Sequence, residues 1–109
     1  MKASPRLSMH LIQILLPLND NNGKALPRRL FHDIKTELTS RFKGLTAYSR
    51  APAEGIWKPR KGTQRDEIIV YEVMTSTLQR SWWKRYRTRL ERQFRQESIV
   101  IRAQETFLL

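Results

Sequence analysis

Glu72, Arg50, Arg102, Gln13 and Tyr48 are the side chains of this sequence whose types and placement could do chemistry together. A carboxylate between two guanidinium groups is held ionised and can accept a proton, and two arginines can grip an anion through paired N–H donors. Tyr48 adds a phenol, and Gln13 an amide that donates and accepts at once. In a reaction, Glu72 or Tyr48 would act as acid or base. In a binding site, Arg50 and Arg102 would hold the ligand. The same residues also suit a structural ion pair beneath an interface, since buried charges are normally paired. Trp57 stands in the basic, Pro- and Gly-containing stretch 51–65, where it could border a pocket or pin its loop to the body of the protein.

Whether these residues meet depends on the elements that carry them. Met9, Leu11, Gln13 and Leu15 alternate with His10, Ile12, Ile14 and Leu16, which predicts a strand over 10–18, closed by Pro17 and the turn-forming run Asn19-Asp20-Asn21-Asn22-Gly23. A helix follows, with Pro27 in its first turn, Leu30, Phe31, Ile34, Leu38 and Phe42 at helical spacing, and Gly44 placed to end it. Residues 45–50 and 66–74 read as the second and third strands. Ser76 and Gln79 stand at capping-box spacing before a second helix, whose stripe is Leu78, Trp82, Trp83, Tyr86, Leu90 and Phe94. Residues 98–104 alternate as a fourth strand that can continue to Phe107.

Strand, helix, strand, strand, helix, strand closes most simply as an α+β ferredoxin-like βαββαβ sandwich. It predicts a four-stranded antiparallel sheet in the order 4-1-3-2 with both helices on one face. A chain of 109 residues has room for one core, so 9–109 reads as a single domain behind a flexible tail, 1–8. Alternation places Ile12, Ile14, Leu16, Leu45, Ala47, Ile69, Tyr71, Val73, Ile99, Ile101 and Ala103 under the helices. The other face receives Gln13, Tyr48, Arg50, Glu72 and Arg102 together with Leu11, Leu15, Ile68, Val70, Met74 and Val100. A solvated sheet face should be more polar than this, so a cover is expected, and a second copy related by a two-fold axis is the commonest one. The sequence thus predicts a homodimer through its open sheet face.

The net charge of +11 draws anions of every kind to the surface. Nucleic acid is a possible partner that the pattern does not favour: the only aromatic of the third strand, Tyr71, faces the helices, so the sheet offers no base-stacking platform. The arginines of 80–95 fall outside the apolar stripe and read as a solvated face. The four glycines are isolated, which excludes a phosphate-binding loop, and no cofactor is expected. His10 and His32 lack partners at ligand spacing, so no metal is expected either. With no cysteine, stability must come from packing. His10 and Gln13 interrupt the first apolar run, which argues against a signal peptide, and no run is long enough to span a bilayer. A cytoplasmic protein is the resulting expectation.

Once the elements are placed, the pattern Arg41-Phe42-Lys43-Gly44-Leu45-Thr46, then Gly55-x-Trp57, then Tyr86 and Phe94-Arg95-Gln96-Glu97-Ser98-Ile99-Val100, resembles a family of small uncharacterised bacterial proteins, a domain of unknown function. The likeness runs over residues 9–107, and Phe-x-Gln-Glu-Ser-hydrophobic is its most specific piece. Exported lipoproteins of that family carry a lipidation cysteine that this sequence lacks. The resemblance implies a ferredoxin-like fold and supplies no activity. More distantly, the fold is similar to the dimeric α/β-barrel group, which includes cofactor-independent monooxygenases, isomerases and small-ligand sensors. Three functions therefore stand as expectations. The first is a homodimeric binding protein whose cleft, lined by Gln13, Tyr48, Arg50, Trp57, Glu72 and Arg102, takes a small anionic molecule. The second is a small-molecule enzyme on the same scaffold, and the third is non-specific nucleic-acid binding through the basic surface.

Overall fold

The β-branched and aromatic runs form the strands, and the two helical stripes lie against them. The computed structural model describes residues 8–42, 44–50 and 68–109. In chain order the elements are β1 (Ser8–Pro17), α1 (Arg28–Arg41), β2 (Thr46–Arg50), β3 (Ile68–Thr75), α2 (Arg80–Gln93) and β4 (Val100–Phe107). The strands make one antiparallel sheet ordered β2-β3-β1-β4, which read from the β4 edge is the expected 4-1-3-2. The architecture is α+β and is compatible with a ferredoxin-like sandwich. The tail 1–7 and the stretch 51–67, with Trp57, lie outside the described residues.

Both helices share one core on one side of the sheet. Ile12, Ile14 and Leu16 of β1 and Tyr71 and Val73 of β3 meet Ile34 and Leu38 of α1 and Trp83, Tyr86 and Leu90 of α2, with Phe94 and Ile99 closing one end. Tyr71 faces the helices as its parity requires, and its hydroxyl donates to the Phe31 carbonyl at 3.4 Å. Ala47 and Ala103, expected under the helices, are exposed. They lie on β2 and β4, the two edge strands, while the buried strand residues of the core come mainly from β1 and β3.

Three local expectations are corrected. Pro27 is the N-cap of α1, not a residue of its first turn: its φ of −60° suits a helix, but its ψ of 139° is extended. Gly44 does not end α1. The helix stops at Arg41 because Phe42 turns extended, with φ −116° and ψ 141°, while its N–H still bonds the Leu38 carbonyl at 2.8 Å. That turn stacks the Phe42 ring on Trp83, centroids 5.4 Å apart, so an aromatic contact accompanies the termination in place of a glycine. The capping box at Ser76 and Gln79 does not form either. Gln79 is itself the N-cap with no side-chain capping bond, and its Oε1 accepts from Arg41 Nη2 of the neighbouring helix.

The turn after β1 is built by Asp20, whose Oδ1 accepts the N–H groups of Asn22 at 2.8 Å and Lys24 at 3.0 Å, with Gly23 at φ +78°. The Lys24 N–H is the main reason the Asp20 carboxyl lies below the ordinary carboxylate value, with Asn22, Arg95 and the Lys24 charge adding to it. Gln96 Nε2 donates to the Asn19 carbonyl at 3.0 Å and ties this turn to the end of α2.

That end is a helix-terminating turn with a left-handed residue, and the residue is Arg95, at φ 50°. The Gln96 N–H reaches the Glu91 carbonyl at 2.9 Å and the Arg95 N–H reaches Arg92 at 3.3 Å, the pairing that normally has glycine at its centre. A side chain in this conformation costs ~1 kcal/mol that glycine avoids. Arg95→Gly is expected to raise the thermal midpoint by roughly 4–8 °C for a domain of this size. A calorimetric scan that shows no rise would mean that the Arg95 side chain makes contacts worth as much as the strain.

Candidate functional site

The register decides which of the sequence-predicted residues meet. Gln13 stands opposite Glu72 of β3 on one side and Arg102 of β4 on the other, and Thr46 of β2 stands opposite Glu72. Thr46, Glu72, Gln13 and Arg102 therefore form one row across all four strands. Within it Gln13 Nε2 donates to Glu72 Oε1, and Gln13 Oε1 accepts from Arg102 Nε at 2.7 Å. The amide is oriented by an anion at its N–H end and a cation at its carbonyl end, so both bonds are charge-assisted.

This corrects the expected constellation. The Gln13 amide separates Glu72 from Arg102, so on the β4 side a carboxylate–amide–guanidinium chain replaces the expected direct contact of carboxylate and guanidinium. Tyr48 lies in the next row, opposite Val70. Arg50 lies one row further, opposite Ile68, so its position is four residues along β2 from Thr46, about 13 Å of strand. The Arg50 side chain and Trp57 lie outside the described residues. Three of the six predicted site residues are thus joined.

Apolar rows flank the polar one. On one side Tyr48, Val70, Leu15 and Val100 run across the sheet, and on the other Met74 and Leu11 lead to Gln104. Val70 is buried, a departure from its expected exposure, with Tyr48 and Leu15 as its cross-strand neighbours on this face. Tyr48, Met74 and Val100 are 44%, 46% and 50% exposed. Beside the polar row a cleft of ≈ 450 Å³ is lined by Met9, Leu11, Leu45, Thr46, Glu72 and Met74. Among the described residues, its one charged lining residue is Glu72.

The cations gather elsewhere. A second cleft, ≈ 240 Å³, lies between α2 and β4, with Ile12, Leu78, Trp83 and Ile101 among its apolar walls and Arg80, Lys84 and Arg87 among its basic ones. All three are exposed, as the expected solvated face of the helix requires. Their spacing of four and three residues puts them on one side of α2, which is the signal that could have found the cleft they border. Among the described residues no three His, Cys, Asp or Glu side chains gather as a metal site, and no described helix is long and apolar enough to cross a membrane.

Between the helices Tyr86 donates to Glu37 Oε1 at 3.4 Å, Arg89 pairs with Glu37 Oε2, and the Arg89 guanidinium lies 4.8 Å from the Tyr86 ring centroid. Burial first, and then the Glu37 charge, push the Tyr86 phenol well above its ordinary value, and burial raises Tyr71 as well. A raised folded-state value means that the stability is fully present below the unfolded tyrosine value, about 10, and is lost as pH climbs toward the folded one. Urea midpoints are therefore expected to fall from about pH 9 to about pH 11. Tyr86→Phe should flatten that fall. An equal slope in the variant would show that the Tyr86 proton is not linked to folding.

The class that the fold defines is α+β, a four-stranded antiparallel sheet with two helices on one face. Compared with protein-family models, curated proteins and solved structures, the chain matches none.

Proposed function

We propose that the protein is a homodimeric binding protein, joined through its open sheet face, that takes a small anionic ligand at the Arg102 end of the polar row. The observation that carries the dimer is that Gln13 joins Glu72 to Arg102 in one hydrogen-bonded row. Charges held in such a row can be covered at lower cost than charges with no partner, and apolar rows border it on both sides. Tyr48, Met74 and Val100 supply exposed apolar surface on that one face, which a monomer has little reason to keep. For the ligand, the terminal guanidinium nitrogens of Arg102 carry no bond recorded among the described residues, which leaves donors for a carboxylate or phosphate. The ferredoxin-like order of elements accords with a dimer of this kind.

Light scattering on a dilution series, after nuclease treatment, tests the assembly. The expected mass is twice the 13.0 kDa of one chain. A monomer at every concentration overturns the reading. Calorimetry with citrate as probe tests the ligand, and unchanged binding by Arg102→Ala removes that part.

A further inference from the structure

β4 is an edge strand, paired with β1 along Ser8–Leu15 and with no described strand on its other side. Alternate residues of Val100–Phe107 therefore turn backbone N–H and C=O groups away from the sheet. Proteins usually blunt such an edge with a proline, a bulge or a very short strand. β4 has eight residues, no proline and unbroken register with β1, and its charged residues, Arg102 and Glu105, are of opposite sign. Alongside this edge runs the α2 cleft, with Arg80, Lys84 and Arg87 on its rim and Trp83 and Ile101 within it. No bond from these three cationic side chains to a carboxylate is recorded among the described residues, and all three are exposed.

We propose that the α2–β4 cleft takes an acidic, extended segment of another protein, added to β4 as a fifth strand with its carboxylates facing Arg80, Lys84 and Arg87. The backbone groups of the edge select a peptide. An open strand edge presents donors and acceptors in alternation, which another strand satisfies, whereas a phosphodiester chain brings acceptors alone. The period of a strand supplies the rest: every second side chain faces the helix layer, where the rim is cationic and the walls are apolar. A second copy does not suit this edge: pairing β4 with itself about a two-fold axis would set the two α2 rims side by side, three cations against three. Arg102, which ends the polar row of the open face, also borders the cleft, whereas Arg80, Lys84 and Arg87 lie on α2, so variants at these three positions test the cleft separately from the proposed dimer.

The probe is a capped, fluorescein-labelled peptide of alternating valine and glutamate, eight residues long to match β4. Anisotropy should report binding that weakens roughly tenfold or more when the glutamates become glutamines, and by a similar factor in Arg80→Gln/Arg87→Gln. N-methylation of alternate peptide nitrogens, on the side that meets β4, should abolish binding, and amide exchange over 100–107 should slow in the complex. A charge swap guards against trivial loss: Arg80→Glu/Arg87→Glu should bind the corresponding valine–lysine peptide in preference. Undiminished binding of the N-methylated peptide overturns the proposal, as does absence of binding. Displacement by a single-stranded oligonucleotide with β4 exchange unchanged also overturns it, and would assign the rim to phosphate.

Discussion

Replacing Phe94 by alanine is expected to cost about 3–5 kcal/mol, enough to leave much of the population unfolded in a domain whose whole stability is of order 5–15 kcal/mol. Phe94 is fully buried just beyond α2, and its ring meets Phe31 of α1 edge to face, centroids 5.3 Å apart at 89°. It also stands between Leu90 and Ile99, so it joins both helices to the approach of β4. Truncation would open a cavity that no neighbour can fill without moving a helix. Phe107→Ala is the internal control, because that ring is 61% exposed and should change stability by less than about 0.5 kcal/mol in the monomer. Urea denaturation measures both. Equal, small losses would mean that the core does not close at Phe94.

Val100→Glu carries the other large effect, an increase in the dimer dissociation constant of about 100-fold. Val100 is half exposed and ends the apolar row that runs through Leu15 and Val70 to Tyr48, so a carboxylate there is harmless to the monomer and costly beneath a partner. The sign of the charge makes the test specific. Each chain carries +11, so an added negative charge lowers the general repulsion between copies, and dissociation can then come only from the covered face. Arginine at the same position would mix the two effects. Sedimentation equilibrium of Val100→Glu at unchanged thermal midpoint gives the answer, and an unaltered dimer would place the interface elsewhere.

Parity made the sheet legible. Ile12, Ile14 and Leu16 are buried as their alternation requires, and Gln13 lies on the opposite face between them. Strand order followed from handedness and from the number of elements. What the sequence concealed was set by contacts between distant segments. Phe42 turns extended where it meets Trp83, a partner 41 positions away, and nothing near Gly44 announces it. Arg95 adopts a glycine-like conformation where Gln96 bonds Asn19, across 77 positions. The site suffered in the same way. Glu72 and Arg102 could be assigned to one face, but only the exact pairing shows that Gln13 stands between them and that Arg50 is two rows away. The cations of α2 are exposed as their place outside the apolar stripe requires, but the cleft they border becomes visible only when the edge strand beside them is placed.

The polar row has a consequence for how the sheet assembles. Sliding β1 by two residues against β3 and β4 would leave every apolar side chain on its proper face, so hydrophobic burial alone discriminates weakly between the native pairing and its near neighbours. Gln13 removes that ambiguity. After such a slip the amide would face Val70 or Met74 in place of Glu72, and both the carboxylate and the guanidinium would lose their partner in one step. One glutamine in the central strand thus acts as an alignment key, and it does so for two interfaces at once.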